Sequence, residues 1–147
     1  MHDRTIVVNT TPLIALSVAG CVAVLAHLFE RVIVPREVAD EILAVGPSSP
    51  GFRELSATPT LDVQVGRIEI PVYLVNALDH GEAAVIATAL SNGIRLVCID
   101  ETVGRRVARM SGLYLTGSIG VLIKAKRLGF PVVIRDAMTR MREHGIW

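Results

Sequence analysis

The chain has 147 residues, of which 51% are apolar and 20% charged, with a net charge of +1. That length and apolar content suit one globular domain with its own core and exclude a disordered chain. The near-neutral balance and an aromatic content of only 4% exclude a uniformly basic surface or one that stacks bases on rings, and leave room only for a local basic patch.

"TIVV" (5–8) is a continuous β-branched run, as a strand buried on both faces should be. Thr11 is then expected to cap a helix with Pro12 in its first position, and Leu13, Ile14 and Leu16 continue it to a break near Gly20. "CVAVLAHLF" (21–29) reads as a second helix, and "RVIVP" (31–35) as a second strand closed by Pro35. In "REVADEILAV" (36–45) Val38, Ile42 and Val45 recur at helical spacing before Gly46 ends the helix. Residues 46 to 60 are rich in Pro, Ser and Gly and read as a loop with room for one helical turn. "LDVQVGRIEIPV" (61–72) alternates, which suits either a hairpin around Gly66 and Arg67 or a single strand near 68–70.

Asp79 to Asn92 forms a helix that is apolar nearly all round, hence buried, and Gly93 stops it. "RLVCID" (95–100) is a strand with a charged end. Glu101 to Ser111 is amphipathic, with Val103, Val107 and Met110 expected inward. "LYL" (113–115) is a short strand, "SIGVLIKAKRLG" (118–129) a helix, and "VVIRDAMTRMREHGIW" is mostly helical. Alternating strands and helices predict an α/β fold with a mainly parallel sheet. With no internal repeat and no linker, residues 1–147 read as a single domain.

Cys21 and Cys98 each sit in an apolar run without a Cys or His at metal spacing, so both read as small buried hydrophobes of a reducing compartment. From Thr5 to Phe29 no Asp, Glu, Lys or Arg occurs, and "VAGC" (18–21) looks like a lipoprotein cleavage site. Asn9 to Pro12 interrupt that run, however, and "MHDR" pairs an acid with its base, unlike a signal peptide. The expectation is a cytoplasmic protein without a membrane association.

In a parallel sheet, sites lie beyond the carboxyl ends of the strands. After the first strand come Asn9 and Thr10. After the second come Glu37 and Glu41, spaced i and i+4. The buried helix opens with Glu82, and Asp100 and Glu101 follow "LVCI". Such oxygen donors suit Mg²⁺ or Mn²⁺ with waters and a substrate phosphate completing the shell. Each residue also has a plainer role. Asp79 and Glu82 in "DHGE" come close to a capping box, Asp100 could cap the next helix, Glu37 and Glu41 could be a solvated face, and Asn9 could be a turn residue.

"VVNTTPLIAL", "VPREVADEI", "GEAAVIATAL", "LVCIDE" and "TGSIGVLIKAK", taken in that order, resemble the motifs of the PIN-domain superfamily, most closely its branch of predicted nucleic-acid-binding proteins known as a domain of unknown function. Residues 46 to 75 and about the last fifteen carry no clear motif. The resemblance implies a three-layer α/β/α sandwich around a parallel sheet. It also implies a Mg²⁺- or Mn²⁺-dependent ribonuclease, often the toxin of a toxin–antitoxin pair. Carried over residue by residue, the first-strand acid falls on Asn9 and its hydroxyl neighbour on Thr10. The remaining acids fall on Glu41, Glu82 and Asp100, with Glu101 as an extra ligand. Asn9 departs from the pattern, since its amide oxygen can coordinate a cation but brings no charge. Three carboxylates are expected to hold one ion weakly, and a second only with substrate phosphate.

The expected reaction is attack of metal-activated water on a phosphodiester. No histidine is placed as a general base: His2, His27 and His144 lie outside the motifs, and His80 reads as a surface residue at a helix start. Arg105, Arg106 and Arg109, then Lys124, Lys126 and Arg127, supply positive charge for RNA, or simply solvated helix faces. "TGSIG", with Thr116 and Ser118, could offer backbone N–H groups to a phosphate. Expected partners are an RNA substrate, an antitoxin protein and, from the apolar content, a second copy in a homodimer. Two rival readings stand beside the nuclease. One is a PIN-like module that binds RNA or a protein without cutting, favoured by Asn9. The other is a small-molecule-binding α/β domain, disfavoured because no glycine-rich phosphate loop follows any strand.

Overall fold

The computed structural model describes residues 4–146. The opening residues of "MHDR", His2 among them, and Trp147 lie outside that range. Five strands, β1 (Thr5–Val8), β2 (Arg31–Val34), β3 (Leu61–Val63), β4 (Leu96–Cys98) and β5 (Tyr114–Thr116), form one sheet in the order β3-β2-β1-β4-β5. Every pairing is parallel, with Val7 opposite Ile33 on one side and Val97 on the other.

Ile6, Val7 and Val8 of β1 are fully buried. Successive strand side chains point to opposite faces, so both faces of the sheet must be covered. The helices that cover them are α1 (Thr10–Val18), α2 (Ala23–Leu28), α3 (Arg36–Val45), α4 (Phe52–Ala57), α5 (Val72–Ala77), α6 (His80–Ser91), α7 (Thr102–Met110), α8 (Ser118–Arg127) and α9 (Ile134–Glu143). The result is the expected three-layer α/β/α sandwich. The core is aliphatic, built from Leu13, Leu16, Leu25, Ile42, Leu74, Ile86, Ile99, Leu122 and Met141 with the strands. Among the described residues no helix is long and apolar enough to cross a membrane.

The strand order fixes where chemistry can occur. From β1 the chain moves outward through β2 to β3, then returns across the sheet to β4 on the other flank of β1. The reversal leaves a crevice beyond the carboxyl ends of β1 and β4, the switch point at which open α/β sheets bind ligands.

Four local expectations are corrected. Helix α1 begins at Thr10, with Asn9 as its N-cap and Pro12 as its third residue; a proline fits there too, because no first-turn N–H has an intrahelical partner. Residues 61–72 contain neither a hairpin nor a strand at 68–70. The short β3 pairs parallel with β2 instead, the Ile68 N–H donates to Glu37 Oε2 at 3.1 Å, and α5 follows Pro71. On α7 the buried residues are Gly104 and Ala108, while Val103 and Met110 are exposed. Small residues let α7 approach α6 and β5 closely, where Val103 or Met110 would hold it off. Val45 likewise faces solvent at the end of α3. The half-buried Cys21 and the buried Cys98 are both free thiols, and burial pushes both above the ordinary thiol range.

Candidate active site at the carboxyl edge of the sheet

Asn9 continues the β1–β4 ladder, its N–H donating to Cys98 O at 3.0 Å, and its backbone is extended. Although it occupies an N-cap, its side chain makes no capping bond. The amide is therefore free for another role. A Cβ placed on Gly81 would lie 3.4 Å from Asn9 Oδ1, 3.5 Å from Glu41 Oε1 and 3.6 Å from Thr10 Oγ1. Two segments, the β1–α1 junction and α3, thus bring three oxygen atoms to one point at the start of α6. Asn9 and Thr10 are buried, and Thr10 Oγ1 has no hydrogen-bond partner.

Glu82, the next residue, is the centre of a second group. It is buried, with Oε2 lacking a partner, and that oxygen presses against Gly104, where a Cβ would overlap it. Only glycine at this position of α7 leaves room for the carboxylate. Oxygens of Asp79, Glu82 and Glu101 lie within 4.8 Å of one another. Asp79 caps α6 by accepting the Glu82 N–H at 2.8 Å, and Thr11 Oγ1 donates to Glu101 Oε1 at 3.2 Å. Burial first, then hydrogen bonding and charge from Asp79 and the neighbouring Glu101, pushes the Glu82 carboxyl up to about 8. A buried acid beside two others holds its proton until a cation replaces it.

The oxygen-only donor set, an orphaned buried carboxylate oxygen and an orphaned hydroxyl fit a hard divalent cation. Soft thiolate ligands are not part of the group.

Asp100 is placed differently from the other acids. Its Oδ1 accepts the Ser118 N–H at 2.7 Å and its Oδ2 accepts the Ser118 hydroxyl at 2.9 Å. It joins β4 to the start of α8 and lies outside the group of three carboxylates. Glu37 is turned away from Glu41's neighbours, toward Ile68; its buried Oε1 has no partner.

The basic residues also separate. Arg105 donates from Nη1 to Ile99 O at 2.7 Å and Thr116 O at 3.2 Å, clamping the ends of β4 and β5. With Asp100, Thr116, Gly117 and Gly120 it lines a groove of about 350 Å³. Ser118's N–H is taken by Asp100 and so is not free for a phosphate. Arg106 and Arg109 are exposed on α7. Lys124 lies past the middle of α8 with its ammonium over the Phe29 ring, 5.2 Å from the centroid, among Arg4, Glu30 and Thr60, which precede β1, β2 and β3. That is the opposite edge of the sheet from Asn9. Lys126 and Arg127 are exposed beyond it, and His80 is an exposed residue at the start of α6.

Sequence reasoning placed Asp79 only as a cap. The signal for a second role was present in "DHGE", because an N-cap side chain and the side chain three residues later both reach over the same helix end. A family model described as a PIN domain, from a branch known as a domain of unknown function, matches residues 5–147. No curated protein and no solved structure matches the chain.

Proposed function

Because this chain belongs to the PIN-domain family, whose members are generally nucleases that use divalent metals, we propose that it is a Mg²⁺- or Mn²⁺-dependent endoribonuclease of the cytoplasm. The observation that carries this reading is Glu82: a buried carboxylate with an unpartnered oxygen at a switch point of the sheet, ringed by oxygen donors. The donors available to a cation there are Asn9, Thr10, Glu41, Asp79, Glu82 and Glu101, with Asp100 in the adjoining wall. A divalent ion at such a site supplies a water acidified toward neutral pH and a positive charge for the phosphate.

The chain's own residues do the rest. Glu82, relieved of its proton, supplies the charge that binds the cation. Thr11 steadies Glu101 through its hydroxyl, and the Asp79 cap fixes the start of α6 so that Glu82 points inward. The groove along Asp100, Arg105 and Gly117 gives an RNA backbone a path past the acids, with Arg106 and Arg109 on the flanking helix adding positive charge. The toxin component of a toxin–antitoxin pair is the biological setting proposed. Exposed Val72, Tyr73 and Val75 on α5 support a protein partner, an antitoxin or a second copy in a homodimer.

Cleavage of single-stranded RNA with Mn²⁺, compared between the native protein and Glu82→Gln, tests the proposal. Activity should vanish in the variant and in chelator. Equal activity in both proteins points to a contaminant and overturns it. Asn9 favours a second reading, a module that binds RNA without cutting, and salt-sensitive RNA binding with no cleavage product would select it.

A further inference from the structure

Resting on the reading of an RNA-cleaving protein, we propose that the cavity beyond the ends of β2 and β3 receives one guanine base of the RNA, read by the Glu37 carboxylate. The cavity holds about 200 Å³ and is lined by Arg36, Glu37, Gln64, Arg67, Ile68 and Thr88 among others. That is room for a single flat base, and less than the roughly 300 Å³ at which pockets for larger organic ligands begin. Arg36 opens α3 directly after β2, and Gln64 directly follows β3, so the cavity lies at the carboxyl edge of the sheet. None of Asp79, Glu82, Asp100 and Glu101 lines it. Thr88 is about two turns of α6 past Gly81, roughly 10 Å along the helix. A strand with one phosphate near the acids therefore has a neighbouring base within reach of the cavity.

Glu37 is the residue that points to a ligand. It is 5% exposed. Its Oε2 accepts the Ile68 N–H at 3.1 Å, which fixes the carboxyl between two cavity-lining segments, and its Oε1 has no partner. A buried acceptor left unsatisfied is costly, and an N–H donor brought by a ligand satisfies it. Two cations stand with it. Arg36 Nε lies 3.1 Å from Asp40 Oδ1, and Arg67 Nη2 lies 2.9 Å from Asp40 Oδ2. A guanidinium carries several N–H groups, so Asp40 leaves most of these donors to an acceptor. The cavity thus pairs a buried anionic acceptor with cationic donors.

Among the RNA bases guanine matches that pattern. Its N1–H and N2–H donors sit side by side for a carboxylate, while O6 and N7 accept from a guanidinium. Adenine and cytosine present an amino donor with an unprotonated ring nitrogen beside it, and the N3–H of uracil lies between two carbonyls. Those lone pairs would face the Glu37 carboxylate and repel it, so the cavity rejects the other bases as well as accepting guanine. Single-stranded RNA permits such readout because its unstacked bases turn out of the strand and expose their Watson–Crick edges.

The test is binding of short RNA strands to the full chain in chelator, so that nothing is cut. The strands are an oligouridine and the same strand with a single central guanine, adenine or inosine. The native protein should hold the guanine strand about tenfold or more tighter than oligouridine, the usual worth of a paired base contact, and should gain nothing from adenine. Inosine lacks the N2 amino group and should bind about fivefold more weakly than guanine, the loss of one hydrogen bond. Glu37→Gln should bind oligouridine like the native protein and lose the preference for guanine. The comparison of strands on the native protein does not depend on how the variant folds. Equal native binding of the guanine strand and either the adenine or the inosine strand overturns the guanine site, as does a preference that survives in Glu37→Gln. If Mn²⁺ then still produces cleavage, the nuclease reading stands without the guanine site; if it does not, both fall.

Discussion

Replacing Glu82 with glutamine tests the electrostatics of the site while preserving its shape. In the folded protein burial, with Asp79 and Glu101 adding to it, raises the carboxyl from 4.5 to about 8. At about 1.4 kcal/mol for each tenfold in proton affinity, ionising Glu82 in place costs roughly 5 kcal/mol. That is an upper limit, because relaxation and water entry relieve part of it. The direction follows from linkage. A carboxyl whose folded value is raised binds its proton more tightly folded than unfolded. Its contribution is fully present below the unfolded value of 4.5 and is lost as pH climbs toward about 8. Urea unfolding of chelator-treated protein between about pH 5 and about pH 9 should show stability falling by several kcal/mol, a large share of the 5–15 kcal/mol typical of a domain. Glu82→Gln cannot ionise, and the Asp79 cap accepts its backbone N–H as before. Its profile should be flatter, and it should exceed the native protein in stability above neutral pH. Mn²⁺ should restore the native protein at high pH by mass action and do little for the variant. An equal fall with pH in both proteins refutes the reasoning.

Four further outcomes are expected. Asn9→Asp adds a carboxylate beside Glu41 Oε1, so the metal-free protein should lose about 1 kcal/mol and a Mn²⁺ titration should reveal a second bound ion; unchanged stoichiometry counts against a role for Asn9 in metal binding. Gly104→Ala puts a Cβ against Glu82 and 3.0 Å from Ile99 Cγ2, which should cost about 1–3 kcal/mol as overpacking and weaken Mn²⁺; a melting temperature equal to the native one sinks the close packing of α7. Arg105→Ala should destabilise by about 1–3 kcal/mol because two carbonyls lose a charged donor. The double variant Arg106→Ala, Arg109→Ala should unfold like the native protein yet show a shallower salt dependence of RNA binding.

Much of the architecture was legible in the chain. β-Branched runs such as Thr5–Val8 and Arg31–Val34 read as interior strands, and α6, apolar nearly all round, reads as a buried helix; their periodicities depend on local side-chain chemistry. The segment from Leu61 to Ala77 was not legible. Its alternation suits a hairpin, but the Ile68 N–H finds a carboxylate on α3, a partner far away in the chain. The inward face of α7 was misread for a related reason. Val103 and Met110 are the larger apolar residues, yet proximity to Glu82 and Ile99 selects the side with no bulk, Gly104.

The site divides along the same line. Strand ends and helix starts announce which residues reach the carboxyl edge of a parallel sheet, and the oxygens of Asn9, Thr10 and Glu41 lie around Gly81 at the start of α6. The sequence by itself determined the fold class, the sheet edge and the oxygen-only chemistry, because hydrophobic period and residue type are local properties. Only the tertiary structure decided how the acids are shared out. It gave Asp100 to Ser118 and made Asp79, while still the cap of α6, a neighbour of Glu82 and Glu101. The assignment of each carboxylate rests on distances of a few ångströms between segments that meet only when the sheet closes, and spacing along the chain carries no record of them.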